Sequence, residues 1–145
     1  MKTVPLAVPS DKAVRRAVGV GISLIDGCTP DVLLVPRPRR DGAHRSDRVC
    51  EVIEALSRDA RHRGITVQAF TSREVKNYLA VRCGRRLPNK AAVSQVLAEL
   101  YPELRPYILR HRRAYDVEGY NSPLINAVGM YCAWRGNPEV ETKAA

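Results

Sequence analysis

The sequence lacks the long apolar run that a membrane protein needs. No apolar stretch in its 145 residues approaches the roughly 20 residues of a membrane-spanning helix. The N-terminal stretch MKTVPLAVPS carries a single lysine, and its short apolar segment is interrupted by prolines, so it makes a poor signal peptide. We therefore expect a cytoplasmic protein with no membrane partner.

Cysteine pairs with the spacing of a metal or redox motif are also missing. The four cysteines lie far apart and form no CxxC pair, which argues against a zinc ribbon and a redox centre. The histidines show no metal-ligand spacing, and no glycine-rich phosphate loop occurs. We expect free thiols, as is usual in the cytosol.

Acidic residues are scarce relative to basic ones. Lysine and arginine number 24 against 15 aspartates and glutamates, which gives a net charge of +9. Arginine outnumbers lysine, and its planar fork matches the geometry of phosphate. This balance favours a polyanionic partner, nucleic acid first. A basic surface without a dedicated partner is the alternative.

The clearest local pattern is GITVQAFTSREVKNYL, residues 64–79. The alternating, partly β-branched segment Ile65–Phe70 predicts a strand. Thr71 stands three residues before Glu74, the spacing of a capping box, and therefore predicts the start of a helix. Gly64 is expected in a left-handed conformation at the end of a preceding helix.

Three further elements are predicted before this stretch. We expect a helix from an Asp11 cap to about Asp26, although Val18–Leu24 is also compatible with a strand. The unalternating run Val32–Val35 predicts a strand buried on both faces and ended by Pro36. Ser46 would cap a second helix. The apolar faces predicted for the two helices are Ala13, Val14, Ala17, Val18, Ile22 and Ile25 in the first, and Val49, Val52, Ile53, Leu56 and Ala60 in the second.

After the central stretch the pattern is helical. Asn89 is expected to cap a helix that ends near Leu100, and Pro102 and Pro106 are expected to break the chain. The pair Ser122-Pro123 predicts the start of a last helix. Its buried face would contain Leu124, Ile125, Val128, Tyr131 and Cys132.

Strands that alternate with helices predict an α/β fold with a small, largely parallel sheet flanked by helices. We expect one domain over residues 11–136, an N-terminal arm over residues 1–10 and a disordered tail over residues 137–145.

Basic residues gather in two main clusters that are candidates for binding nucleic acid. The first follows the carboxyl end of a predicted strand, where open α/β sheets bind ligands. Its residues are Arg37, Arg39, Arg40, His44, Arg45 and Arg48, and those of the second are Arg110, His111, Arg112 and Arg113. Each is equally compatible with a solvated loop. A weaker third cluster contains Arg82, Arg85 and Arg86, and two tyrosines beside the second cluster are candidates for base stacking, Tyr115 and Tyr120.

One acidic pair is a candidate for metal-dependent hydrolysis. Asp116 and Glu118 lie close to the second basic cluster. Phosphoryl hydrolysis of this kind needs several carboxylates that converge on divalent ions. Asp116 and Glu118 are therefore candidate catalytic residues and metal ligands, with ordinary surface acids as the alternative.

The order of these motifs resembles a known family. Residues 22–128 resemble the later part of RuvC-type Holliday-junction resolvases and related RNase H-like proteins. The matching segments are ISLIDGCTPDVLLV, GITVQAFTSREVKNYL, NKAAVSQVLAEL and EGYNSPLINAVGMY. The resemblance implies an RNase H-like fold, branched DNA or RNA as a partner, and magnesium-dependent cleavage by clustered acidic residues.

The chain departs from that family at its acidic positions. There is no room before Val32 for the family's three opening strands, Val35-Pro36 stands where the family has a glutamate, and Asn126-Ala127 replaces a closing Asp-Ala pair. Only Glu118 matches an acidic position, and asparagine supplies no negative charge for Mg²⁺. The resemblance therefore favours nucleic-acid binding without a complete nuclease.

Two alternatives stay open. One is a magnesium-dependent, structure-specific endonuclease with an atypical or shared active site, in which Asp116 and Glu118 act together with a homodimer partner or another chain. The other is a non-enzymatic interaction module, because absent strands would leave a sheet edge that a partner strand could complete.

Overall fold

A computed structural model describes residues 11–38, 46–108 and 122–136. Its elements are helix α1 (Lys12–Cys28), strand β1 (Val32–Pro36), helix α2 (Asp47–His62), strand β2 (Thr66–Phe70), helix α3 (Ser72–Cys83), helix α4 (Lys90–Leu100), a 3-10 helix (Pro102–Tyr107) and helix α5 (Ser122–Arg135). The predicted order of helices and strands is confirmed. The predicted arm and tail lie outside the described residues.

The chain divides into two compact units between Ala69 and Phe70. Unit 1 contains α1, β1, α2 and most of β2. Unit 2 contains α3, α4, the 3-10 helix and α5. The prediction of a single domain over residues 11–136 stays a prediction.

The sheet has two neighbouring strands, β1 and β2, which run parallel and are connected by α2. The predicted α/β class with a small parallel sheet is therefore confirmed. Burial of β1 on both faces was wrong, since only Val35 is buried and the preceding residues are half-buried. Among the described helices, α2 makes the main contact with β1 and covers one face of the strand. Pro36 is the last residue of β1, so the predicted end of the strand is confirmed.

Helix α1 confirms the helical prediction and excludes the strand alternative. Its buried residues are Val14 and Ile25, whereas Ala13 and Ala17 are exposed, contrary to the predicted apolar face. Gly21 explains the shift, because a Cβ there would lie 2.6 Å from the side chain of Leu56 on α2. The two helices therefore pack closely along the side of α1 that carries this glycine.

Helix α2 begins after Ser46, whose hydroxyl accepts a hydrogen bond from the amide of Val49 at 3.4 Å. The predicted apolar face is wrong at Val49, which is 45% exposed. The predicted face is confirmed at Ile53 and Ala60, and the buried residues follow helical spacing: Cys50, Ile53, Ser57 and Ala60. The chain leaves the helix through Gly64, whose φ of 76° confirms the predicted left-handed conformation.

Helix α3 has the predicted capping box in full. The Thr71 hydroxyl accepts a hydrogen bond from the Glu74 amide at 3.1 Å, and the Glu74 carboxylate accepts one from the Thr71 amide at 2.7 Å. The helix ends at Gly84, which has a φ of 63°. The helix start was readable from sequence because both partners of the box are encoded within four residues.

The core of unit 2 forms where α3, α4 and α5 pack together. Its most buried residues include Leu79, Leu97 and Cys132, each with no exposed surface. The face predicted for α5 is confirmed at Ile125 and Cys132 but wrong at two exposed residues, Leu124 and Tyr131. After α4 the prolines do not simply break the chain, because they form a 3-10 helix that buries Leu104. No described helix combines the length and apolar character needed to cross a bilayer.

Candidate nucleic-acid interface

Unit 1 contains a groove of about 600 Å³ that is lined by α2 and by both strands. We call it the α2 groove. Val35 and Ile53 are buried and form its inner wall with Ala69, which is half-buried. Pro38 also lines it, and the buried Cys50 thiol donates a hydrogen bond to the Pro38 carbonyl at 3.2 Å. The chain after β1 is thereby attached to α2.

Charged side chains line the outer part of the α2 groove. Arg58, Arg61 and His62 are exposed residues in the last turns of α2. Residues three and four apart are neighbours on a helix surface, so these side chains share one side of α2. Glu54, a carboxylate, lies one turn earlier, and the buried Ser57 hydroxyl donates to the Ile53 carbonyl at 2.7 Å.

Two other arginines of unit 1, Arg48 and Arg63, form ion pairs with carboxylates. Arg63 forms ion pairs with Asp26 of α1 and, at 2.8 Å, with Asp59 of α2, and the hydrogen bond to Asp26 raises the pKa of the guanidinium. Arg48 pairs with Asp11 at 2.7 Å, although its side chain is 71% exposed. Among the described residues Arg58 and Arg61 form no such pair.

The first predicted cluster is described only at its two ends. The Arg37 side chain donates a hydrogen bond from Nε to the Ala69 carbonyl at 3.4 Å and so connects the segment after β1 to β2. Arg48 lies in the first turn of α2. The remaining members lie outside the described residues: Arg39, Arg40, His44 and Arg45. Their binding role stays a prediction.

The second cluster and the acidic pair also lie outside the described residues. These positions are Arg110, His111, Arg112, Arg113, Tyr115, Asp116, Glu118 and Tyr120. In the weaker third cluster, Arg85 pairs with Glu99 of α4, and this hydrogen bond lowers the pKa of the Glu99 carboxyl. Arg82 donates to the Tyr78 hydroxyl at 3.4 Å.

The described residues do not fit a magnesium site. Within those ranges no three side chains of histidine, cysteine, aspartate or glutamate lie close enough to share an ion. Val35 and Pro36 end β1 without a carboxylate, and Asn126 is an exposed amide on α5. Mg²⁺ is bound through carboxylates that these positions lack. No chemical step through a metal follows from the described part of the chain.

Sequence reasoning missed the α2 groove. Arg58 and Arg61 stand three residues apart on the polar side of α2, and that spacing was the available signal. His62 is exposed at the end of α2 and also lines the groove. The inner wall depends on how α2 packs on the two strands, which spacing along the chain does not encode.

All four cysteines lie in the described ranges, and none is disulfide-bonded.

Comparison with known proteins gives a likeness in fold. No protein-family model matches the chain, and no curated protein matches it in sequence. The structure of Thermus thermophilus RuvC is similar with a TM-score of 0.57 and 20% identity, over 93% of this chain and 72% of that one. T. thermophilus RuvC in complex with a Holliday junction substrate is similar with the same TM-score and identity, over 92% and 72%. The chain therefore has a RuvC-like fold, as its ordered motifs predicted.

Proposed function

We propose that the protein binds branched or otherwise structured nucleic acid and that this chain does not by itself form a complete nuclease site. The observation that carries the proposal is the RuvC-like fold, since one similar structure contains a Holliday junction. The net charge of +9 supports a polyanionic partner. The residues at the end of β1 and at Asn126 support binding without cleavage, because they supply no carboxylate.

The basic clusters are the expected contacts with the phosphate backbone. Arginine forks bind phosphate in two-point contacts, and such contacts fix the position of a protein on nucleic acid without reading its sequence. The proposed contacts are Arg37, Arg39, Arg40, Arg45, Arg48, Arg110, Arg112 and Arg113. The protein would act in the cytoplasm, with its cysteines as thiols.

The direct test measures binding of a labelled four-way junction, a matched duplex and a single strand. We expect the junction to bind most tightly and to remain uncut when Mg²⁺ is added. Arg39→Ala/Arg40→Ala should weaken binding, whereas Arg15→Ala/Arg16→Ala removes the same charge from α1 and serves as the control. Arg37 is left unchanged because its bond to Ala69 connects β1 and β2. Failure of all three substrates to bind near physiological salt would refute the proposal.

The alternative enzymatic hypothesis is a magnesium-dependent, structure-specific endonuclease. It rests on the match of Glu118 to an acidic position of the family and on the neighbouring Asp116. These two carboxylates would then hold Mg²⁺ with ligands from a second copy or another chain. Mg²⁺-dependent cutting of the junction that Glu118→Gln abolishes would establish this alternative in place of binding alone.

A protein-interaction module is the non-enzymatic alternative. The described sheet has only two strands, so each strand has a neighbour along a single edge. A strand from a partner could add to such an edge through backbone hydrogen bonds. Stable association with another chain, combined with no affinity for any nucleic acid, would favour this module.

A further inference from the structure

We propose that the α2 groove holds a backbone phosphate of the bound nucleic acid, with Arg58 and Arg61 as the residues that contact it. This inference rests on the proposed function and adds a contact site that lies outside the clusters predicted from sequence. It follows from the charge of the lining, from the burial of the inner wall and from the availability of the two guanidinium groups.

The lining combines a cationic outer part with a buried apolar wall. Among the described lining residues, Arg58 and Arg61 supply two positive charges against the carboxylate of Glu54, so this part of the lining is cationic. Val35 and Ile53 are buried behind them. Charges interact more strongly beside a low-dielectric wall than in open water, which strengthens the attraction between these guanidinium groups and an anion in the groove.

The two arginines are also available for a ligand. At the two ends of α2, Arg48 already pairs with Asp11, the cap of α1, and Arg63 pairs with Asp26 and Asp59. Neither Arg58 nor Arg61 makes an ion pair within the described ranges. Their donors can therefore bind a phosphate without first breaking an internal contact.

The lining favours a phosphate over a base. None of the described residues that line the groove is a phenylalanine, tyrosine or tryptophan, so they offer no large aromatic ring on which single-stranded bases stack. Its volume of about 600 Å³ is sufficient for a sugar-phosphate unit. A contact of this kind is independent of sequence. We therefore expect the same effect of groove substitutions on junctions of unrelated sequence.

The test compares Arg58→Ala/Arg61→Ala with Arg15→Ala/Arg16→Ala, which removes the same charge from exposed positions of α1. The groove variant should bind a labelled junction at least about tenfold more weakly, because charge-assisted hydrogen bonds are lost. Its plot of log affinity against log salt should be less steep by about 0.9, the value for one phosphate. Circular dichroism would show that both variants keep their helices.

A substitution that removes negative charge from the α2 groove provides a second test. Glu54→Gln removes the carboxylate from the lining and should strengthen junction binding. The control is Glu51→Gln, which removes the same charge from an exposed position of α2 outside the described lining and should change junction binding less. If the junction binds the wild type but the groove and α1 variants lose equal affinity, the phosphate assignment is wrong while the proposed function stands. If the wild type binds no nucleic acid, the phosphate assignment and the proposed function are both wrong.

Nuclear magnetic resonance identifies the ligand at the groove itself. The Nε–Hε signals of Arg58 and Arg61 should shift on addition of a short oligothymidine, and the shifts should disappear at high salt. Signals that respond to inorganic phosphate but not to the oligonucleotide would overturn the assignment to a nucleic-acid backbone. Signals that respond to neither would exclude the groove as an anion site.

Discussion

Substitution of Thr71 tests the local unit on which the fold prediction depends. Thr71 is 8% exposed, and its hydroxyl accepts the amide of Glu74 at the start of α3. Thr71→Ala removes the cap, which costs about 1 kcal/mol, and a buried methyl group, which costs about 0.8 kcal/mol. We therefore expect a loss of about 2 kcal/mol in the free energy of unfolding.

Two further variants separate the contribution of the hydroxyl to the free energy of unfolding from that of the methyl group. Thr71→Ser keeps the hydroxyl and should cost about 0.8 kcal/mol, and Thr71→Val keeps the volume and should cost about 1 kcal/mol or more. Urea unfolding followed by far-ultraviolet circular dichroism measures each value, since about 1 kcal/mol moves the midpoint by roughly 0.5 M for a protein of this size. Equal stability of the alanine and serine variants would refute the role of the hydroxyl as a cap.

Three other predictions concern unit 2. Leu79→Ala should cost about 2–5 kcal/mol in unfolding experiments, because the side chain has no exposed surface. Gly129→Ala should cost about 1–3 kcal/mol, since its Cβ would lie 2.9 Å from a valine side chain of α3. Arg85 lowers the pKa of Glu99, so the pair stabilises the fold above the ordinary pKa of glutamate and stops doing so as the pH falls through the lowered value. Thermal melts of Glu99→Gln should therefore differ from wild type near neutral pH but not in acid.

Matched controls accompany these changes. Val81→Ala, at a position 85% exposed, should alter stability by no more than about 0.5 kcal/mol. Gly19→Ala meets no atom within 4 Å and should stabilise α1 by up to about 1 kcal/mol. A Leu79 variant as stable as the Val81 control would contradict the description of the core.

Local signals in the sequence predicted most of the elements. The capping box at Thr71 and the left-handed turn at Gly64 were readable because each is determined by a few adjacent residues. Helix faces were less predictable. Apolar spacing placed Val49 in the core, but packing of α1 against α2 at Gly21 is a contact between distant residues that spacing does not report.

The candidate nucleic-acid interface was also predictable only in part from the sequence. Clusters of arginine along the chain indicated nucleic acid, and Arg39 and Arg40 remain candidates on that basis. Arg58 and Arg61 give a weaker local signal, their three-residue spacing on α2, and they become a candidate site where α2 packs on β1 and β2. Conversely, Arg48 belongs to a predicted cluster but pairs with Asp11, because the fold brings an acid from a distant position to it.

The salt dependence of junction binding distinguishes phosphate-backbone binding from both alternatives. A labelled four-way junction is titrated with the wild-type protein over a series of salt concentrations, with and without Mg²⁺. We expect log affinity to fall linearly with log salt, by about 0.9 for each phosphate neutralised, and the junction to stay intact in Mg²⁺. Affinity that does not change with salt, or cleavage that requires Mg²⁺ and Glu118, would contradict it.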